Sequence, residues 1–467
     1  MEEVKGGEFR RVLGPWSTSA LIAGCIIGTG IFFFVSDVAV RLPSRTAILA
    51  AWVVGAAIAS CGALSLAELA AAYPQTGGIY VFLCRAFGPF VGFLYSWAKL
   101  LIMQVGTFAI LAVAFSGFFA DFLGLAPESS GEIKKAVSIG VIIILTGINI
   151  AGLRGGATVQ NVLTALKILC LLAIVGIGAA FALGLLTSHP VAVKPAARAE
   201  GAFLLLFGAA LIPTMWTFGG WEESPFVAEE VRNPERNLPL SILGGLWTVA
   251  VLYVLVNAAY LAILSPSEMA GTAGVTATVA MERALGGGAR RLLNVALMLS
   301  TIGAANGFAL TGGRIAYAVG RDQALLRWFA HTHPGTKTPV RSLAVQGILV
   351  ILAILALENP FTLLLYTGLA YWGFAALTGM AVMVLRRRDP LRKRPFRVWA
   401  YPLTPILFVA ASLGMAVSVI AADVNNKTRN ALAAAIILAV GAIVYGIQRL
   451  AFRDRSRSAA PAPADLP

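Results

Sequence analysis

The sequence predicts an all-α polytopic membrane protein with twelve transmembrane helices, arranged as two five-helix halves followed by a terminal pair. Three observations carry that expectation. Only 12% of the 467 residues are charged and 58% are hydrophobic, whereas soluble domains carry roughly a quarter charged residues. Apolar runs of the roughly 20 residues needed to cross a bilayer recur along the chain. Two of those runs, in corresponding positions of the two halves, are interrupted by glycine and proline.

Residues 1–16 are polar, and the first apolar run after them, 17–40, is too long for the core of a cleavable leader. It is therefore read as a span. Runs at 44–72, 87–120, 133–153 and 158–186 complete a first half, 17–186. A second half, 201–386, holds runs at 201–227, 238–264, 290–320, 339–357 and 359–386. Helices at 401–421 and 430–450 follow. The tail, 451–467, is polar and rich in alanine and proline, and is expected to be disordered.

A formal charge of +14 would suggest nucleic acid in a soluble protein. In a membrane protein it reflects basic residues gathered in cytoplasmic loops. With an even number of spans and the N-terminus inside, about two thirds of the 36 Lys and Arg fall on the cytoplasmic side. Both termini are thus expected in the cytoplasm, and no nucleic-acid partner is. The densest run, "RRRDPLRKRPFR" (Arg386–Arg397), lies between spans 10 and 11, where contact with lipid headgroups is a second reading. Cys25, Cys61, Cys84 and Cys170 lie in or beside apolar runs without metal-ligand spacing. His189, His331 and His333 fall in loops. The pattern offers no metal site, no cofactor and no catalytic constellation, so an enzyme is not expected.

The first break is "GCIIGTGIFF", Gly24–Phe33. Each helical glycine costs about 1 kcal/mol against alanine. One reading is a small-residue face for close packing, since Gly24 and Gly28 are spaced as GxxxG. The sixth run carries a second break, "PTMWTFGGWEESPF" (Pro213–Phe226), with Gly219-Gly220 and then Pro225. Interruptions at matched positions of two halves point to a transporter binding site. Unwinding frees backbone groups that lipid does not tolerate unless they line a cavity and find a polar partner. An amino acid supplies both polarities, a carboxylate for freed N–H groups and an ammonium for freed carbonyls.

These residues also carry a resemblance. "GCIIGTGIF" resembles the GSGIF-type signature of the amino acid–polyamine–organocation (APC) superfamily. "WTFGGWEESPFVAEEVRNPERNLPLSI" (Trp216–Ile242) is similar to the sixth span and following loop of its L-type amino acid transporter branch. "AELAAAYPQTGGIYVFL" and "NGFALTGGRIAYAVGRDQALL" match two further segments of that branch, in order. The resemblance implies a leucine-transporter-type 5+5 inverted repeat with broken helices 1 and 6. It implies a bacterial inner-membrane transporter of L-amino acids working without a partner chain. It places the substrate carboxylate on Thr29 and Gly30, and the ammonium on carbonyls of Ile26, Trp216 and Gly219. Gly28 and Thr217 complete the lining, and Trp216 caps the substrate as a gate.

Four departures qualify the match. Thr29 replaces a usual serine. Ala304 in "GAANG" removes a hydroxyl from the region where sodium-coupled members hold their ion. Glu222 and Glu223 stand where neutral-substrate relatives show an uncharged polar residue. One of them is a candidate to select a cationic side chain or carry a proton, the other reading being a hydrated or paired couple at the inner edge of helix 6. The loop from Asp121 to Glu132 lacks the cysteine by which animal relatives join a heavy chain, so no disulfide-linked partner is expected.

Ionisable residues at membrane depth are functional candidates because their burial is costly. Glu68 is read as structural, and Lys99, near the middle of span 3, has no assigned role at this level. Lys167 is the expected coupling residue. Entering near Thr158, helix 5 would carry it roughly 14 Å deep at 1.5 Å per residue. The resemblance places its ammonium where a sodium ion sits in coupled members, bridging helix 5 to the first break. The function expected is sodium-independent amino acid transport by alternating access, as an exchanger or a proton-coupled symporter, with a channel as the reading from another class.

Overall fold

The computed structural model describes residues 9–125, 130–194, 196, 199–272, 275–356, 361–425 and 430–458. Among them every extended element is helical, and the β pairing is one isolated parallel bridge between Leu13 and Val231. Among the described residues ten helices are long and apolar enough to cross a membrane, and Val340–Ala356 is a shorter apolar helix. The chain is a multi-pass membrane protein.

The first apolar run is in three pieces: α1 (Pro15–Ile26), α2 (Gly30–Phe33) and α3 (Val35–Arg41). The second run is α4 (Arg45–Ala72), capped where the Ser44 hydroxyl accepts the Ala47 N–H at 3.1 Å. Gly88, at φ 96°, ends α5 (Ile79–Phe87), and Pro89 opens α6 (Pro89–Ala98). Proline suits that first helical position because the missing N–H would have had no partner. A π-helical stretch, Lys99–Met103, joins α6 to α7 (Gln104–Leu123). Then come α8 (Gly131–Ala151) and α9 (Leu153–Ala182). Because α9 starts at Leu153 and not near Thr158, Lys167 lies halfway along its 30 residues.

The sixth run is α10 (Phe203–Thr217) followed, across Phe218–Gly220, by a 3-10 helix, Trp221–Glu230. Next are α11 (Pro234–Ile263), the short α12 (Pro266–Gly271) and α13 (Thr276–Leu285), and the long α14 (Ala289–Asp322). The last four are α15 (Val340–Ala356), α16 (Phe361–Arg388), α17 (Leu403–Asn425) and α18 (Asn430–Ser458). Helix α18 thus runs into the segment expected to be a disordered tail; residues 459–467 lie outside the described ones.

Helix α11 packs on α1, α4 and α9, and α14 packs on α7 and α9. Small residues permit this approach: a Cβ on Gly245 of α11 would lie 2.8 Å from Cγ2 of Ile22 on α1. At one end of the bundle the N-terminal segment is tied down. The Val12 and Leu13 N–H groups donate to the Glu230 carbonyl at 2.9 Å, and the Arg232 N–H donates to the Leu13 carbonyl at 2.9 Å. Arg314 holds the Glu230 carboxylate with two bonds of 3.0 Å, both side chains buried. Part of the basic run lies against the protein, while Arg387, Lys393 and Arg397 are exposed. Arg386 and Arg394 pair with buried Glu68, whose carboxylate also accepts the Val398 N–H at 2.7 Å. Arg392 donates to the Ala72 carbonyl at the end of α4. Glu68 is a structural anchor.

Candidate substrate site

The first helix breaks at Ile27, whose φ of −73° and ψ of 83° are those of a tight turn. The Gly28 N–H folds back onto the Ile26 carbonyl at 2.8 Å, an i to i+2 bond. Helical order resumes at Gly30. The amide N–H groups of Thr29 and Gly30 donate to no protein group among the described residues.

The three glycines have different tasks. A Cβ on Gly24 would collide with the Gln160 and Thr164 side chains of α9, so Gly24 is the packing residue. Gly28 meets nothing closer than 3.9 Å. Gly30 is where the two breaks meet, for a Cβ there would stand 2.8 Å from the Thr217 hydroxyl. The contact recurs from the other side: Gly220, at φ 115°, would place a Cβ 2.8 Å from the Cys25 carbonyl carbon. Positive φ and backbone-to-backbone proximity both call for glycine there.

Carbonyls freed by the first break are met by side chains from three helices. The Lys167 ammonium donates to Gly24 at 2.8 Å and to Ile27 at 2.6 Å. The Ser300 hydroxyl donates to Gly28 at 2.9 Å, and the Tyr253 hydroxyl to Ile26 at 2.9 Å. Lys167 is 1% exposed, so it does not snorkel to either surface. These bonds also correct one expectation. The Ile26 carbonyl, assigned to a substrate ammonium, already accepts from Gly28 and Tyr253, and a carbonyl has two lone pairs. Trp216 keeps one bond to its carbonyl, from the Gly219 N–H at 3.1 Å, while the Gly219 carbonyl accepts nothing among the described residues.

The two breaks face a cavity of about 140 Å³, room for several waters or one small zwitterion. Gly28, Thr29 and Gly30 line it from one side and Trp216, Thr217 and Gly219 from the other. The Trp216 ring stacks on Tyr371 at 5.9 Å and meets Trp372 edge-on at 6.1 Å. Trp216 and Phe34 also line a second cavity containing Asp37 and Arg41, so the indole is a wall between the two.

A charged cluster closes the first cavity. Lys99 and Glu223 form an ion pair of 2.6 Å, both out of water, and the Thr311 hydroxyl also donates to Glu223. Glu222 accepts the Gly220 N–H at 2.9 Å. Lys99 and Glu222 line the cavity; Glu223 does not.

With that geometry in place, comparison with known proteins is decisive. A family profile described as amino acid permease matches residues 13–442. The chain belongs to that family, within the APC superfamily. The permease is 32% identical over 416 residues to b(0,+)-type amino acid transporter 1 of Mus musculus, covering 88% of this chain and 83% of that one. It is 29% identical over 408 residues to the serine/threonine exchanger SteT of Bacillus subtilis (strain 168), covering 86% and 90%. It is 28% identical over 410 residues to Asc-type amino acid transporter 1 of Mus musculus, covering 86% and 74%. Family and relatives are transporters, not enzymes.

In the permease, Ile26, Gly28, Thr29, Gly30, Trp216, Thr217, Gly219 and Glu222 all border one cavity. Lys167 stands behind the first break. Glu223 is turned into an ion pair, so the two glutamates are not equivalent. Sequence reasoning missed Tyr253 and Tyr371, which carry no motif. Lys99 had a readable signal: one cation and two carboxylates at membrane depth are cheapest when they pair.

Proposed function

We propose that the permease is a sodium-independent secondary amino acid transporter that works by alternating access, as an exchanger of L-amino acids. One observation carries the reading: two helix breaks meet at a single cavity, with N–H groups on one wall and a carbonyl on the other that have no partner among the described residues. The α-carboxylate docks on Thr29 and Gly30, and the α-ammonium on the Gly219 and Trp216 carbonyls. Trp216 gates the route toward the Asp37–Arg41 side. Twelve spans, with a 5+5 inverted repeat over 17–186 and 201–386, let one half rock against the other around this site. The charge bias supports both termini in the cytoplasm, and the family resemblance supports a bacterial inner membrane. The cysteine-free loop Asp121–Glu132 supports function without a disulfide-linked heavy chain. Similarity to a serine/threonine exchanger favours exchange. Proton-coupled symport is the second reading, favoured by the buried Lys167 ammonium on Gly24 and Ile27.

Competition in proteoliposomes tests the site. An amino acid is compared with its amide and its deaminated analogue against uptake of the labelled parent. Only the intact zwitterion should compete strongly; equal inhibition by all three would overturn the assignment.

A further inference from the structure

We propose that Glu222 selects a positively charged substrate side chain, so that the permease carries amino acids bearing a second cationic group. The inference rests on the transport reading above and names the substrate class of that same cavity.

The argument is one of charge balance. Lys99, Glu222 and Glu223 come together at the cavity. Lys99 is committed to Glu223 at 2.6 Å, and Thr311 gives Glu223 a further donor. The other cations buried nearby are also committed. Lys167 points at Gly24 and Ile27, and Arg314 holds Glu230. Glu222 is 6% exposed and lines the cavity, yet it has no ion-pair partner among the described residues. Its donors are neutral: the Gly220 N–H at 2.9 Å, with the Tyr371 hydroxyl beside it. The Lys99 charge also acts on Glu222, but one ammonium cannot balance two carboxylates, and a buried excess of negative charge is costly.

The space around Glu222 is small and walled largely by aromatic rings. A second pocket of about 20 Å³, room for about one water, adjoins the first, and Lys99, Met103, Glu222 and Tyr371 line both. Tyr95, Trp221 and Phe374 are among the residues that wall it. A carboxylate set among aromatic faces suits a guanidinium or ammonium, which the rings attract through their quadrupoles. The α-groups occupy the two breaks, and the side chain reaches past them to Glu222.

The test uses the purified full-length chain in proteoliposomes, with labelled arginine and labelled leucine as separate tracers. Unlabelled arginine is compared with citrulline, which has nearly the same length and shape but no charge. Arginine should compete roughly tenfold or more better than citrulline in the wild type. Glu222→Gln should bring that ratio close to one with citrulline undiminished, and Glu222→Asp should retain the preference. Equal competition in the wild type, or a preference that survives Glu222→Gln, overturns the proposal. So does leucine uptake with an inward proton current and no uptake of arginine. If Glu222→Gln does not fold, the wild-type ratio and Glu222→Asp decide. Failure of every amino acid to compete would instead defeat the transport reading.

Discussion

The Lys167 ammonium lies 2.6 Å from the carbonyl oxygen of Ile27, the residue at which α1 stops. A second bond, to Gly24, makes Lys167 a strut between α9 and the broken end of α1. If α1 moves relative to α9 during transport, these two bonds must break or lengthen. Lys167→Ala is expected to give a folded, monodisperse protein. Its transport rate should fall by about tenfold or more, about 1.4 kcal/mol in the barrier. Size-exclusion profiles and initial uptake rates check it; near-normal transport would make Lys167 a packing residue.

Sodium should be dispensable. Lys167 and Ser300 already satisfy the Gly24, Ile27 and Gly28 carbonyls. An added cation there would face the fixed charge of the lysine. Replacing sodium by choline at constant ionic strength should leave uptake unchanged. A strict sodium requirement would show that these carbonyls serve an ion.

Gly30→Leu should abolish substrate binding while expression persists. The added side chain would start 2.8 Å from the Thr217 hydroxyl and force the two breaks apart. It would also crowd the Thr29 and Gly30 amides. Substrate-induced thermal stabilisation, lost in the variant and present in the wild type, is the readout.

Removing one member of the Lys99–Glu223 pair should destabilise the protein by about 3–5 kcal/mol, because a lone charge is left in a dry site. Lys99→Met should therefore lower the unfolding midpoint markedly in detergent. Lys99→Met combined with Glu223→Leu should restore much of it. An additive double variant would show that the two side chains do not interact.

Much of this protein was legible in its sequence. Length and hydropathy mark the spans, and Gly24–Phe33 and Pro213–Phe226 mark the breaks, because helix breaking is a local property of glycine and proline. Lys167 could be found as a cation too deep to reach water. What the sequence could not assign was partnership. Lys99 and Glu223 lie 124 positions apart, and Tyr253 and Ile26 lie 227 apart. Only the packing of the π-helical stretch after α6, of α11 and of the two breaks brings them together. The same packing separates glycines that look alike in the chain, since Gly24 faces α9 while Gly30 faces Thr217. It likewise separates Glu223, closed into an ion pair, from Glu222 one residue earlier, which is left facing the cavity. Local chemistry decides where a helix must break. The long-range fold decides which freed groups are already satisfied and which are left for a substrate.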